Sequence, residues 1–143
     1  MTKLYLAGPM TSIKDFNFPA FDKAAAELRE RGYEVFNPAE NDRQNGYDGK
    51  SLTGDPAEAK AAGFDLRATL KQDLAWICDH ADGLALLPYW EKSRGAKAEV
   101  ALAHALGIPA KLWVNWPPLE VPVETVKFEP GLGFVIETEE PAA

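Results

Sequence analysis

The sequence predicts an α/β fold, with one parallel sheet covered by helices on both faces. Short apolar runs alternate along the chain with segments of helical period, as they do when each strand is followed by a crossover helix. The runs KLYLAG, DGLALLP and PAKLWV are nearly continuous rather than alternating, the pattern of strands buried on both sides. A chain of 143 residues with 46% apolar composition can bury one sizeable core. A single domain over 1–143 is therefore expected, with its core at about 3–116 and an extended segment over 117–143.

The elements follow in order. Lys3–Gly8 reads as a strand ended by Gly8-Pro9, and FPAFDKAAAELRERG as a helix stopped at Gly32. Tyr33–Pro38 is a second strand. Asn41–Gly63, rich in Gly, Asp, Asn and Lys, reads as a long polar loop with one short helical turn near PAEAKAA, and such loops in compact domains are often lids. Phe64–His80 sets Leu66, Leu70, Leu74 and Ile77 on a helical period. Asp82–Pro88 is a strand, Arg94–Leu106 a helix and Pro109–Val114 another strand. Beyond Trp116 the chain is punctuated by proline, with VETVKFEP and GLGFVIE as edge strands and ETEEPAA as a frayed end.

Composition narrows the function. A formal charge of -7 and a pI near 4.8 argue against a partner of polymeric nucleic acid held by general phosphate attraction. One cysteine, Cys78, excludes an internal disulfide framework, and no signal peptide or membrane-spanning run is visible, so a cytoplasmic protein without a membrane partner is expected. His80, His104 and Cys78 offer no pair at metal-binding spacing; no metal and no cofactor are expected. Cys78 and His104 read as packing residues.

Carboxylates remain as the chemically active groups. In SRGAKAEVALAHALG, Glu99 shares a helical stripe with Ala96, Leu102, Ala103 and Leu106; Asp73 shares one with Leu66, Leu70 and Ile77. A buried acid either pairs, here with Arg67, Lys71, Lys97 or Lys111, or serves chemistry. Two acids directed at one crevice suit glycosidic cleavage, where one attacks an electron-poor sugar carbon and the other assists the leaving group. In an open parallel sheet that crevice lies beyond the carboxyl ends of the strands, so the loops Pro9–Phe18 and Pro88–Gly95 should line it. Asp82, at the amino end of its strand, reads as a cap or turn residue. Ser93-Arg94-Gly95 opens the helix of Glu99. It is either a plain N-cap with a solvated Arg94, or an anion site of free N–H groups, a hydroxyl and a glycine that permits close approach. Ser93 and Glu99 lie roughly 9 Å apart along the helix, a separation compatible with the 5′-phosphate and anomeric carbon of one nucleotide. Phe16, Phe18 and Phe21 could stack on a base, although at this spacing Phe18 and Phe21 are more often core residues; Tyr89 and Trp90 are better stacking candidates, and Trp113 and Trp116 are core or oligomer contacts.

LYLAGPM, KQDLAWICDHADGLALL and SRGAKAEVALAHALGIP together, over about Leu4 to Val114, resemble the nucleoside 2-deoxyribosyltransferase-like superfamily. The resemblance is closest to the (deoxy)nucleoside 5′-monophosphate N-hydrolases and to a phage and bacterial group of uncharacterised proteins. It implies a three-layer flavodoxin-like or Rossmann-like fold with a sheet of about five strands, a nucleotide or nucleoside as small-molecule partner, and a homodimer or higher oligomer in which a neighbour completes the site. It also implies roles: Glu99 as nucleophile, Asp73 in substrate contact and base departure, Tyr5 beside the nucleophile, and Gly8 in the first substrate loop with Pro9 and Met10. Six residues before the glutamate, transferases of the superfamily tend to carry an acid for the free sugar hydroxyl, and the monophosphate hydrolases a serine for the phosphate. Here the residue is Ser93, and a hydroxyl can donate to a phosphate that a carboxylate would repel. The expectation is hydrolysis of the N-glycosidic bond of a (deoxy)nucleoside 5′-monophosphate through a retaining displacement. Base exchange on nucleosides and nucleotide binding without chemistry are the alternatives.

Overall fold

The computed structural model describes residues 1–47, 54–61, 63–119 and 123–139. Four strands, β1 (Lys3–Ala7), β2 (Glu34–Phe36), β3 (Gly83–Leu86) and β4 (Ala110–Leu112), pair in the order β2-β1-β3-β4, all parallel. Helices α1 (Phe18–Glu30), α2 (Pro38–Gln44), α3 (Pro56–Ala61), α4 (Leu66–His80) and α5 (Arg94–Leu106) connect them. The result is a three-layer, Rossmann-like α/β arrangement.

Successive strand residues point to opposite faces, and the two cores divide accordingly. Leu4 and Leu6 of β1, with Ala85 of β3, pack against Phe21, Ala24, Ala25 and Leu28 of α1. Tyr5 and Ala7, with Leu84 and Leu86, pack against Ile77 of α4 and Ala96, Val100 and Ala103 of α5. The parity of β1 therefore turns its one buried polar side chain, Tyr5, toward the two helices that carry the anomalous acids.

Helix α5 has the expected bounds: Ser93 caps it by accepting a hydrogen bond from Ala96 N at 3.2 Å, and Gly107 ends it at φ 73°, a left-handed stop that costs glycine little. The stretch expected as a polar loop is mostly helical where described. Asn37 Oδ1 accepts from Ala39 N at 3.0 Å and Pro38 fills the first turn, which together nucleate α2. Long-range pairs then hold it. Arg29 binds Glu40 at 2.5 Å, Arg43 binds Asp22 at 2.8 Å, and Asn41 Nδ2 donates to Gln72 Oε1 at 3.0 Å. Residues 48–53 and 62 of the proposed lid lie outside the described residues; within it, Gly54 O accepts from Ser12 N at 2.7 Å.

Other expectations are corrected. The main sheet has four strands, and β5 (Val123–Glu129) and β6 (Gly133–Glu139) are not its edges but pair antiparallel with each other. Their cross-strand pairs Val126–Ile136 and Phe128–Phe134 place apolar side chains on one face, where they are exposed. Cys78 and His104 are exposed rather than packed. Trp116 is core: its Nε1 donates to Leu84 O at 3.1 Å, and its ring fills the space a side chain at Gly83 would need. Among the described residues no helix is long and apolar enough to cross a membrane.

Candidate active site

Strand order locates the crevice. From β1 the chain passes to β2 on one side and β3 on the other, so loops leaving the carboxyl ends diverge there and open a cleft. A cavity of about 880 Å³ fills it, within the range of small-molecule sites. Of the residues expected to form a site, Tyr5, Gly8, Met10, Asp73, Ser93, Gly95 and Glu99 line this cavity.

Glu99 and Asp73 are 6% and 5% exposed. The ion pairs offered as a structural explanation are not formed: none of those found among the described residues involves either acid, and Asp73 Oδ1 is buried with no hydrogen-bond partner. Burial disfavours the charged form, and so raises both groups, Glu99 to about 8 and Asp73 to about 6. The Tyr5 hydroxyl, which hydrogen-bonds to the two carboxyls, opposes both shifts, and the Asp73 charge adds to that on Glu99. Tyr5 itself is raised well above its ordinary value, by burial first and then by the two acids. Its ring is fixed by stacking on Phe36 at 5.3 Å and by Trp76 at 6.2 Å. One phenol thus joins two carboxyls that near neutral pH do not both ionise, an arrangement that can hold one proton and one negative charge side by side.

At the rim, Ser93 is indeed an N-cap, and its hydroxyl proton remains available. The first N–H groups of α5 have no intrahelical acceptors. At Gly95 a Cβ would meet only Leu70 Cδ2 and Ser93 Oγ, each at 3.9 Å, so packing does not demand glycine and the open space belongs to the cavity. Gly8 differs, because a Cβ there would lie 2.7 Å from Leu87 Cβ, which makes packing reason enough for it. Lys60 and Arg67 add positive charge to the cavity wall.

Five expected residues are not brought in. Pro9 is buried beside the cavity, its carbonyl accepting from Asn17 Nδ2 at 2.9 Å, and Arg94 points to solvent. Phe18 is 3% exposed, packed on Tyr47 with the Arg43 guanidinium 5.5 Å from its ring centre. Tyr89 sits at φ 65°, exposed, with Lys92 Nζ over its ring at 4.9 Å, and Trp90 packs against the α4–α5 core. Phe16 and Phe21, by contrast, do line the cavity. Phe16 is held at φ 51° within the left-handed run Asp15-Phe16-Asn17, a costly conformation for an aromatic residue that the β1–α1 loop maintains beside the site.

The sequence reading missed Asp42, Tyr47 and Phe64. Asp42 is 3% exposed and pushed up to about 7, by burial first and then by the charge of Asp73. The one available signal was Asn37-Pro38 followed by Glu40, a helix start that would have placed Asp42 on a helix rather than in a loop.

No curated protein matches the chain. Residues 2–112 match a family profile described as a domain of unknown function, DUF4406, and stop short of the β5–β6 ribbon. The match covers the whole four-stranded body and every residue that lines the cavity, and the chain belongs to the DUF4406 family.

Proposed function

We propose that this protein hydrolyses the N-glycosidic bond of (deoxy)nucleoside 5′-monophosphates, releasing the free base and (deoxy)ribose 5-phosphate. The supporting observation is the triad of Glu99, Tyr5 and Asp73: two buried carboxyls without ion-pair partners, joined by a phenol, in a cavity that also receives the start of α5. Before substrate binds, Glu99 holds the cluster's proton near neutral pH. A C1′ that gains positive charge favours ionised Glu99, and its proton passes through the Tyr5 hydroxyl to Asp73. A Glu99 oxygen then bonds to C1′ as the C1′–N bond breaks. The bonding pair leaves with the base, which takes the proton from Asp73. Water next attacks C1′, gives its proton to Asp73 and frees Glu99 with the sugar phosphate. Ser93 and the first N–H groups of α5 receive the 5′-phosphate, where the helix dipole favours an anion.

On this reading the enzyme works in the cytoplasm on soluble nucleotides, without polymeric nucleic acid, and assembles at least as a homodimer whose neighbour closes the site. The test is to incubate the protein with ribo- and deoxynucleoside monophosphates, and with nucleosides plus an acceptor base, following free and exchanged bases by chromatography. Free base from monophosphates alone, lost in Glu99→Gln, is expected. Base exchange on nucleosides would replace hydrolysis by transfer, and nucleotide binding without turnover would leave a binding protein.

A further inference from the structure

The β5–β6 ribbon has two unlike faces. Its register pairs Val126 with Ile136 and Phe128 with Phe134, and the alternation of side chains along a strand puts all four on one side. The two phenylalanine rings meet edge to face at 5.5 Å. Lys127 and Glu137 have the other parity, and their ion pair, at 2.7 Å, crosses the opposite side. The middle of one side is therefore apolar and the middle of the other charged.

The apolar side has no cover within the chain. Val126, Phe128, Phe134 and Ile136 are 62%, 65%, 78% and 63% exposed, and among the described residues neither core of the body includes a residue of the ribbon. A two-stranded ribbon is marginal in water by itself and gains stability when its apolar face packs on another layer. The body offers no sheet face for this, since both sides of its four-stranded sheet are already buried under helices.

A second ribbon fits the requirement. Each of the four side chains presents roughly 100–150 Å², so the face measures about 500 Å² and two such faces bury about 1,000 Å², the size at which a specific interface becomes possible. The face is self-complementary under a two-fold axis, because each copy supplies the same patch to the other. Two ribbons stacked about 10 Å apart form a small four-stranded sandwich that buries the apolar side of each. The formal charge of -7 opposes association in general, but the Lys127–Glu137 pair lies on the outer side of such a sandwich and is not desolvated by it.

We propose that the ribbon is a dimerisation arm whose partner is the ribbon of a second copy of this chain, packed apolar face on apolar face. The proposal stands apart from the nucleotide chemistry: sedimentation reads it without substrate, and silence in the turnover assay leaves it in place. For the full chain, sedimentation equilibrium from about 1 to 300 µM should show a mass rising from 15.7 kDa toward twice that value, as a contact of this size predicts. Val126→Thr with Ile136→Thr keeps branched residues that favour strands while making the face more polar, and should weaken association at least tenfold. Phe128→Glu with Phe134→Glu, and Phe128→Lys with Phe134→Lys, should each give a monomer over the same range. An equimolar mixture of those two proteins should associate, because opposite charges then meet across the contact. Glu137→Gln, on the other side, should leave association unchanged. Amide hydrogen exchange across β5 and β6 verifies that the ribbon is intact in each variant. A native chain that stays at 15.7 kDa throughout overturns the proposal, as does a dimer undiminished by the threonine and charged pairs. Charged pairs that keep their ribbons, dissociate and fail to recombine on mixing also overturn it, since the face then docks on something other than a second ribbon.

Discussion

Two rims of the same sheet treat acidic residues in opposite ways. At the amino end, Asp82 precedes β3, and its carboxylate accepts from Lys3 N at 2.8 Å while its own N–H donates to Lys3 O, also at 2.8 Å. The bond pair closes the start of the sheet, and the side chain stays open to water. At the carboxyl end, Asp73 and Glu99 are withdrawn from water and share one phenol, and Asp73 keeps an oxygen with no partner at all. The first arrangement strengthens the fold. The second weakens it, and a protein that retains such a pair has a use for it.

The contrast can be tested at its strongest point first. Asp73→Asn should lower turnover by about 10²–10³-fold, since it removes proton transfer to the base. The bell-shaped rate profile expected of the native protein, with limbs near 6 and 8, should reduce to a single titration. Both are read from initial rates across pH.

Next comes a stability effect at Glu99. Below pH 4.5 this residue is protonated whether the chain is folded or unfolded, so its burial carries no charge penalty. As pH rises, the unfolded chain ionises while the folded one keeps its proton until about 8, and folding loses ground across that window. Glu99→Gln is spared this loss. Denaturant titration should therefore find the variant more stable than the native protein by roughly 3–4 kcal/mol at pH 8, and nearly equal to it close to pH 4.5. A variant less stable at every pH would mean that Glu99 is structural, like Asp82.

The smallest effect belongs to the other rim. Asp82→Ala should cost about 1 kcal/mol through loss of the hydrogen bond to Lys3, with turnover unchanged. A substantial fall in turnover would show that the two rims are coupled.

What could be read from the sequence divides along a physical line. The 3.6-residue period of α4 and α5 depends only on neighbours in the chain, so Asp73 and Glu99 could be singled out and the bounds of α5 anticipated, whereas Tyr5 stands out only through the family resemblance. Asp42 could not. The polarity of Asn41, Asp42 and Arg43 suggests solvent, and only the contacts of Asn41 with Gln72 and of Arg43 with Asp22, distant in sequence, seat the helix so that Asp42 is buried. The apolar stripe of α4 misleads in the opposite sense. Leu66 is 59% exposed because the stripe borders the cavity instead of a packed wall. Tyr89 and Trp90 were sensible candidates for stacking by loop position, but the left-handed turn at Tyr89 directs its ring outward.

The closing segment of the body has a practical consequence. Leu119 N donates to Arg31 O at 2.8 Å, the Arg31 guanidinium donates to Trp116 O at 3.0 Å, and the Tyr33 hydroxyl donates to Pro117 O. Arg31 and Tyr33 immediately precede β2, so these bonds pin the chain at the amino end of the sheet. A dye, affinity handle or chip linkage attached beyond Leu119 is therefore tethered from the side away from the cavity, leaving its mouth open to ligand in solution. Surface-based binding assays can be oriented by that route without touching a single residue of the cleft.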